Sequence, residues 1–250
     1  MIVLKTAEEL KKMRAAGRIS QRALLKAGEA VEPGVSTLEI DSIVRKYIEE
    51  QGAAPSFLGY GGFPASACIS VNNVVIHGIP SEKQILKQGD IVSIDVGAYF
   101  MGYHGDNAWT FACGDISEEA QRLLDTTKES LFEGIKAAKA GNRIGDIGYA
   151  VQSYVELRSY SVVRDFTGHG VGAKLHEDPS VANYGSQGKG AKLMPGMAIA
   201  IEPMVNAGSY RVRILRDKWT TVTADGKLSA HFEHTVAITA NGPVILTDAD

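Results

Sequence analysis

Two aspartates stand where apolar strand residues belong. In SIDVGAYFMGYHGDNAWTF, Ser93 to Phe111, two alternating arms flank the turn FMGYHG, and Asp95 and Asp106 each sit inside an arm. Ser93, Asp95 and Gly97 share one face of the first arm, while Ile94 and Val96 take the other. The returning arm brings Asp106 towards Asp95, and two like charges in a half-buried sheet repel unless something cationic lies between them. A proton, an Arg or Lys, or a metal ion could fill that place. Further along, IAIEP puts Glu202 in an apolar run, SAHFEHTVAI puts Glu233 in another beside His231, and TGHGVG holds His169 among glycines. Four carboxylates and one neutral imidazole carry four negative charges, which two divalent cations balance. Hard oxygens with one nitrogen suit Mn, Fe(II), Co or Zn better than a soft metal. Taken singly, each acid reads as a solvated strand residue or an ion-pair partner; the five together read as a centre.

The elements that must position these residues follow a plan used twice. Leu86-x-x-Gly89 leading to Asp95 matches Leu193-x-x-Gly196 leading to Glu202, each pair 107 positions apart, and the same offset relates Gly34 to Gly141, Ile40 to Ile147, Val44 to Val151 and Tyr47 to Tyr154. Each half reads as a helix (Ala7 to Ala27; Ser117 to Ala140), a turn (EPGVS; KAGNR), a second helix (Thr37 to Gln51; Ile144 to Leu157) and then strands. Thr6, Thr37 and Ser117 are the expected helix caps. Strand patterns cover CISVNNVVIHG and residues 90–99, 103–112, 198–205, 220–223 and 231–239. Helices before strands in each half predict an α+β fold, with a pseudo-two-fold, mainly antiparallel central sheet and helices over its outer face. Residues 1–250 are expected to form a single catalytic domain of two halves, about 1–110 and 111–250.

Composition narrows the class without naming a reaction. The chain of 250 residues is 44% hydrophobic and 22% charged with net charge -3, which suggests neither a nucleic-acid nor a membrane partner. Cys68 and Cys113, the two cysteines, form no C-x-x-C pair and no disulfide framework. The opening MIVLKTAEELKKMRAAG is an amphipathic helix bearing Glu8 and Glu9, unlike a signal peptide, so a cytoplasmic location is expected.

Five stretches together, LGYGGFPASACISVNNVVIHGIP, DIVSIDVGAYFMGYHGDNAWTF, TGHGVGAKLHEDP, MAIAIEPMV and LSAHFEHTVAIT, make the chain resemble the type I methionine aminopeptidases of the bacterial kind, along essentially its whole length. That resemblance implies the duplicated pita-bread fold and removal of the N-terminal methionine from nascent polypeptides. It implies that Asp95 chelates one metal ion, that Asp106 and Glu233 bridge two, and that His169 and Glu202 complete the other. It also implies that Glu202 shuttles a proton, that His176 binds the carbonyl oxygen and that His77 contacts the scissile amide. Phe57, Tyr60, Phe63, Cys68, His77, Leu175 and Trp219 would line the methionine pocket; read without the family they are ordinary core. Phe57 and Leu175 depart from the cysteine and phenylalanine common there, which predicts altered inhibitor fit with methionine preference kept. A monovalent cation, Na or K, is implied near Asn72, Val74 and Ser229. The enzyme is expected to be a monomer that meets its substrates at the ribosome, with Lys83, Lys87, Lys189 and Lys192 as candidate facing residues.

Other readings meet specific obstacles. A non-catalytic binding module would have lost some of the five ligands, and all are present. Prolidases share the ligand set but usually carry a sizeable extra N-terminal domain. HEDPS and HFEH fit neither H-E-x-x-H nor H-x-x-E-H, and GHGVG lacks the strand-then-helix frame of a nucleotide loop.

Overall fold

The computed structural model describes residues 1–248. Four α-helices form: α1 (Ala7–Glu29), α2 (Thr37–Glu50), α3 (Glu118–Ala137) and α4 (Ile144–Glu156). Thr6 caps α1 in a reciprocal box with Glu9, and Ser117 caps α3 by accepting from the Ala120 N–H. At α2 the cap is Ser36 and not the expected Thr37. Ser36 lies three residues before Glu39, the spacing that lets hydroxyl and carboxylate each satisfy the other's backbone N–H, and Thr37 is the first helical residue. Helix α3 stops at Ala137 rather than Ala140, where the Asn142 side chain donates to the Ala137 carbonyl.

Fifteen strands accompany the helices among the described residues. They are β1 (Ala54–Pro55), β2 (Ala67–Val71), β3 (Val74–Ile76), β4 (Ile91–Phe100), β5 (Tyr103–Ala112), β6 (Ser161–Val162), β7 (Gly168–Gly170), β8 (Glu177–Val181), β9 (Ala198–Ile201), β10 (Met204–Asn206), β11 (Val212–Ile214), β12 (Thr221–Thr223), β13 (Ser229–His231), β14 (Glu233–Thr239) and β15 (Gly242–Ile245). The main sheet runs β1-β4-β5-β14-β9-β7-β8, with β2 also on β4 and β15 also on β14. Its pairings are antiparallel, as are those of the two smaller sheets, β13-β10-β6 and β11-β12-β3. The fold is α+β around a central antiparallel sheet, as expected from the sequence.

Two of the expected strands are interrupted. The run expected over 198–205 breaks at Glu202 and Pro203: β9 ends in the main sheet, and the chain crosses to β10 in another. Proline has no N–H to give a ladder, which suits that crossing. The run over 231–239 breaks at Phe232, so His231 ends β13 and Glu233 begins β14.

The helices lie on one face of the main sheet, where two apolar cores form. Ala23, Leu24, Ile40, Val44 and Ile48 from α1 and α2 meet Val92, Ile94 and Val96 of β4. Leu123, Leu131, Ile147 and Val151 from α3 and α4 meet Ile199, Ile201 and Val236 of β9 and β14. Trp109 packs against both. The 107-residue offset recurs in the hydrogen bonds: Gly34 N–H donates to the Leu86 carbonyl and Gly141 N–H to that of Leu193. The lone bridges Ser36↔Ile85 and Arg143↔Lys192 show it too.

Where β5 meets β14, the sheet changes character. Glu233↔Ala108 and His234↔Asn107 pair through the backbone, and the same register places Asp106 opposite Thr235 and Thr110 opposite His231. At both flanks a threonine hydroxyl replaces the direct ladder bonds. Thr235 Oγ1 accepts from the Asp106 N–H (3.1 Å) and donates to the Asp106 carbonyl (2.7 Å). Thr110 Oγ1 accepts from the His231 N–H (3.0 Å) and donates to the His231 carbonyl (2.8 Å).

Candidate active site

On the face away from the helices a pocket of about 190 Å³ opens, and every residue expected from the sequence to serve the reaction lines it. Asp95, Asp106, His169, Glu202 and Glu233 meet at one end; Phe57, Phe63, Cys68, Leu175 and Trp219 form an apolar wall. Ile76, Phe166 and Thr167 also line it and were not foreseen as site residues. Thr167 opens the TGHGVG motif, so its neighbourhood to His169 was the available signal; Phe166 meets His77 edge-on at 5.7 Å, which no spacing reveals.

The aspartates owe their meeting to register. Strands β4 and β5 pair without interruption, with Asp95 opposite Ala108 and Asp106 opposite Gly97, so the two carboxylates are diagonal neighbours on one face. Gly97 is glycine because a Cβ there would stand 2.7 Å from Ser56 Cβ and 2.8 Å from Phe57 Cε1, displacing the pocket wall. Cys68 is the register partner of Asp95 on the other edge of β4. Asp41 accepts from the Ser66 and Ala67 N–H groups, both at 2.8 Å, and so fixes the segment that leads into β2.

His169 is held by the backbone around it. A Cβ on Gly168 would lie 2.3 Å from the Ala200 carbonyl oxygen, and one on Gly170 2.2 Å from that of Asp178, so only glycines let β7 fit between its neighbours. The His169 ring pairs through Nδ1 with the Gly170 carbonyl at 2.9 Å. A carbonyl accepts only, so Nδ1 carries the proton and Nε2 presents its lone pair. That lone pair faces Asp106 Oδ2 at 3.7 Å and Glu202 Oε1 at 3.6 Å. At those separations the three atoms face one another without a hydrogen bond between them.

The same shortage marks the carboxylates. Asp95 Oδ1, Asp106 Oδ1 and Glu233 Oε1 are buried without a hydrogen-bond partner among the described residues. Burial pushes the Asp106 carboxyl up to about 7. Burial first, then the neighbouring carboxylates, holds Asp95, Glu202 and Glu233 well above the usual carboxylate range. Burial lowers His169 to about 3 and keeps its ring neutral. One ligand atom each from Asp106, His169 and Glu233 lies within 4.8 Å of the others. Orphaned carboxylate oxygens around an imidazole nitrogen whose ring is fixed by the Gly170 carbonyl fit divalent cations, and among the described residues no Lys or Arg lines the pocket to serve instead.

Two further histidines border the pocket. His176 pairs through Nδ1 with the Tyr60 hydroxyl at 2.9 Å, stacks on that ring and stands 4.0 Å from the His169 ring. The segment bearing it is tied down by Glu177, whose Oε2 meets Lys5 Nζ at 2.6 Å in a buried ion pair. His77 follows β3 with φ of 57°, a conformation a side-chain-bearing residue adopts at a cost, and its ring meets Trp219 edge-on at 6.1 Å. Burial, then His176, lowers His77 to about 4.

Residues 11–240 match the family model described as Metallopeptidase family M24. The chain is 58% identical over 247 residues to a methionine aminopeptidase of Clostridium perfringens strain 13, with 99% of each chain covered. It is 53% identical over 247 residues to methionine aminopeptidase 1 of Bacillus subtilis strain 168, again with 99% of each covered. Among solved structures it is similar to a methionine aminopeptidase from Thermotoga maritima, with TM-score 0.98, 44% identity and coverage of 99% of this chain and 100% of that one. It also resembles a prolidase from Pyrococcus horikoshii OT3, with TM-score 0.80 and 25% identity, covering 100% of this chain and 65% of that one.

Proposed function

This chain belongs to metallopeptidase family M24, and within it to the methionine aminopeptidases of the bacterial kind, so it removes N-terminal methionine by hydrolysing the first peptide bond; we propose here which of its residues do so. The observation that carries the assignment is the donor set: orphaned carboxylate oxygens and a lone-pair nitrogen, gathered at the end of an apolar pocket.

Asp95, Asp106, His169, Glu202 and Glu233 would hold two divalent ions from among Mn, Fe(II), Co and Zn. When bound, the ions lower the pKa of a water towards neutrality and draw negative charge from the scissile carbonyl. Glu202 takes the water's proton and passes it to the leaving amine. His176, with Nδ1 engaged by Tyr60, keeps its other nitrogen for the carbonyl oxygen as charge develops there. His77 contacts the scissile amide. Phe57, Tyr60, Phe63, Cys68, Leu175 and Trp219, with His77, enclose the methionine side chain, whose polarizable thioether suits sulfur and aromatic walls. A main-chain site near Asn72, Val74 and Ser229 is assigned to Na or K; the Ser229 N–H donating to the Asn72 carbonyl supports their proximity.

Residues 1–250 are read as one catalytic domain whose halves, about 1–110 and 111–250, are related by a pseudo-two-fold axis, a reading supported by hydrogen bonds that repeat at the 107-residue offset. The enzyme is further assigned to the cytoplasm, as a monomer meeting nascent chains at the ribosome. No helix among the described residues is long and apolar enough to cross a membrane. Light scattering and co-sedimentation with ribosomes test these assignments.

The decisive test strips the protein with a chelator and measures methionine release from Met-Ala-Ser, without metal and with Mn, Fe(II), Co or Zn restored. Release that returns with metal and is absent from Asp106→Ala is expected. No release with any metal from folded protein, with cleavage of Xaa-Pro substrates instead, would move the chain towards the prolidase-like activity of its more distant neighbour. On a peptide panel, Phe57 and Leu175 are expected to leave discrimination between Met and Leu intact.

A further inference from the structure

One buried nitrogen has no part in that scheme. His231 is 2% exposed, and its Nε2 has no hydrogen-bond partner among the described residues. It lies 3.7 Å from Glu202 Oε2, while Glu202 Oε1 lies 3.6 Å from His169 Nε2. The carboxylate therefore stands between two imidazoles and turns one oxygen to each. Neither end is loosely hung. Thr110 grips the His231 backbone through both N–H and carbonyl, and Met204, two residues beyond Glu202, is the register partner of His231 across β10 and β13. A dry N–H without an acceptor costs about 1–3 kcal/mol, so a nitrogen kept here is explained by an acceptor it serves. A closure of less than about 1 Å brings 3.7 Å into hydrogen-bond range, and catalytic hydrogen bonds are often long before the site is loaded.

We propose that His231 is a positioning residue for Glu202: its Nε2–H donates to Oε2 and so presents Oε1 to the centre shared with His169. The proposal rests on the assignment of Glu202 to the metal centre. The two imidazoles divide their roles by tautomer. His169 gives its proton to the Gly170 carbonyl and offers a lone pair, whereas His231 offers a proton and binds no metal.

The test titrates chelator-stripped wild type, His231→Leu and His231→Gln with Mn(II) by calorimetry and assays each on Met-Ala-Ser. Leucine fills the space without a donor; glutamine restores an N–H of similar reach. The leucine variant is expected to bind Mn(II) about 10- to 100-fold more weakly, the usual effect of losing a partner that orients a ligand, and to lose more in kcat than it gains in KM. The glutamine variant is expected to recover most of that affinity. Wild-type binding matched by the leucine variant would overturn the proposal. So would a glutamine variant as weak as the leucine one with an altered Co(II) absorption spectrum, because the imidazole would then itself be a ligand. If circular dichroism shows the leucine variant unfolded, His231→Met replaces it under the same criteria. Wild type that takes up no Mn(II) would overturn this proposal together with the metal assignment, an outcome distinct from a difference between variants.

Discussion

In the first half of the molecule the two carboxylates of the site stand inside ten-residue strands whose pairing never breaks, whereas in the second half both stand where a strand is interrupted. Asp95 and Asp106 take their positions from register alone, and a shift of one residue would turn both to the apolar face. Glu202 follows the end of β9, where Pro203 starts the crossing to β10, and Glu233 opens β14 just after Phe232 leaves the ladder. One half builds its share of the centre by pairing and the other by stopping. The two shares meet across the threonine-bridged junction of β5 and β14.

The largest effects should show the two shares to be equal. Asp106→Ala and Glu233→Ala are each expected to lower kcat/KM by about 1,000-fold or more, which is about 4 kcal/mol on the barrier. A loss below about tenfold in one of them would mean that its half only supports the other. Next come the hydroxyl bridges. Thr110→Val and Thr235→Val each strip a buried N–H and carbonyl of their partner, and each is expected to cost about 1–3 kcal/mol in urea unfolding of the chelator-stripped protein. A cost confined to one of them would show that the junction is closed from one side.

A smaller effect comes from His77, in the loop beyond β3. Its folded pKa, about 4, lies below the ordinary value near 6.5, so the unfolded chain binds more protons in between. Its contribution to stability is therefore present above pH 6.5 and lost as pH falls towards 4. His77→Gln is expected to flatten that part of the unfolding profile of chelator-stripped protein, and an unchanged slope would count against it. The smallest effect is expected at the bend itself. Pro203→Ala should change stability by less than about 1 kcal/mol and activity less than about twofold, because the pairing of β10 with β13 sets the crossing. A larger loss would mean that the proline directs the chain out of the sheet.

The same contrast explains what could be read from the sequence. The β4–β5 hairpin, the four helices and the five side chains that meet at one end of the pocket were legible because alternation, periodicity and motif spacing are local signals. The breaks at Glu202 and Phe232 were not, since AIAIEPMV and AHFEHTVAIT read as continuous β pattern and only the departure into another sheet interrupts them. Strands β1, β6 and β7 have two or three residues each, two of them containing Pro or Gly, and exist only because neighbouring strands recruit them. Ser36 is legible as a cap only through the Glu39 spacing, because Ser36 and Thr37 both qualify by type. In the sequence His231 stands out merely as a neighbour of Glu233, because no pattern reports that its ring turns towards Glu202.

The place of β14 in the sheet bears on how the molecule comes into being. It lies between β5 and β9, both earlier in the chain, so a ribosome delivers the middle of the sheet after the strands on either side. Until residue 233 has emerged, β5 and β9 present open edges that other chains could join. Closing the β5 edge needs contacts between residues more than a hundred positions apart, such as Asp106 with Thr235, and such long-range closure is slow. The first moment at which all five side chains of the site can stand together is thus also the moment at which the sheet stops being sticky.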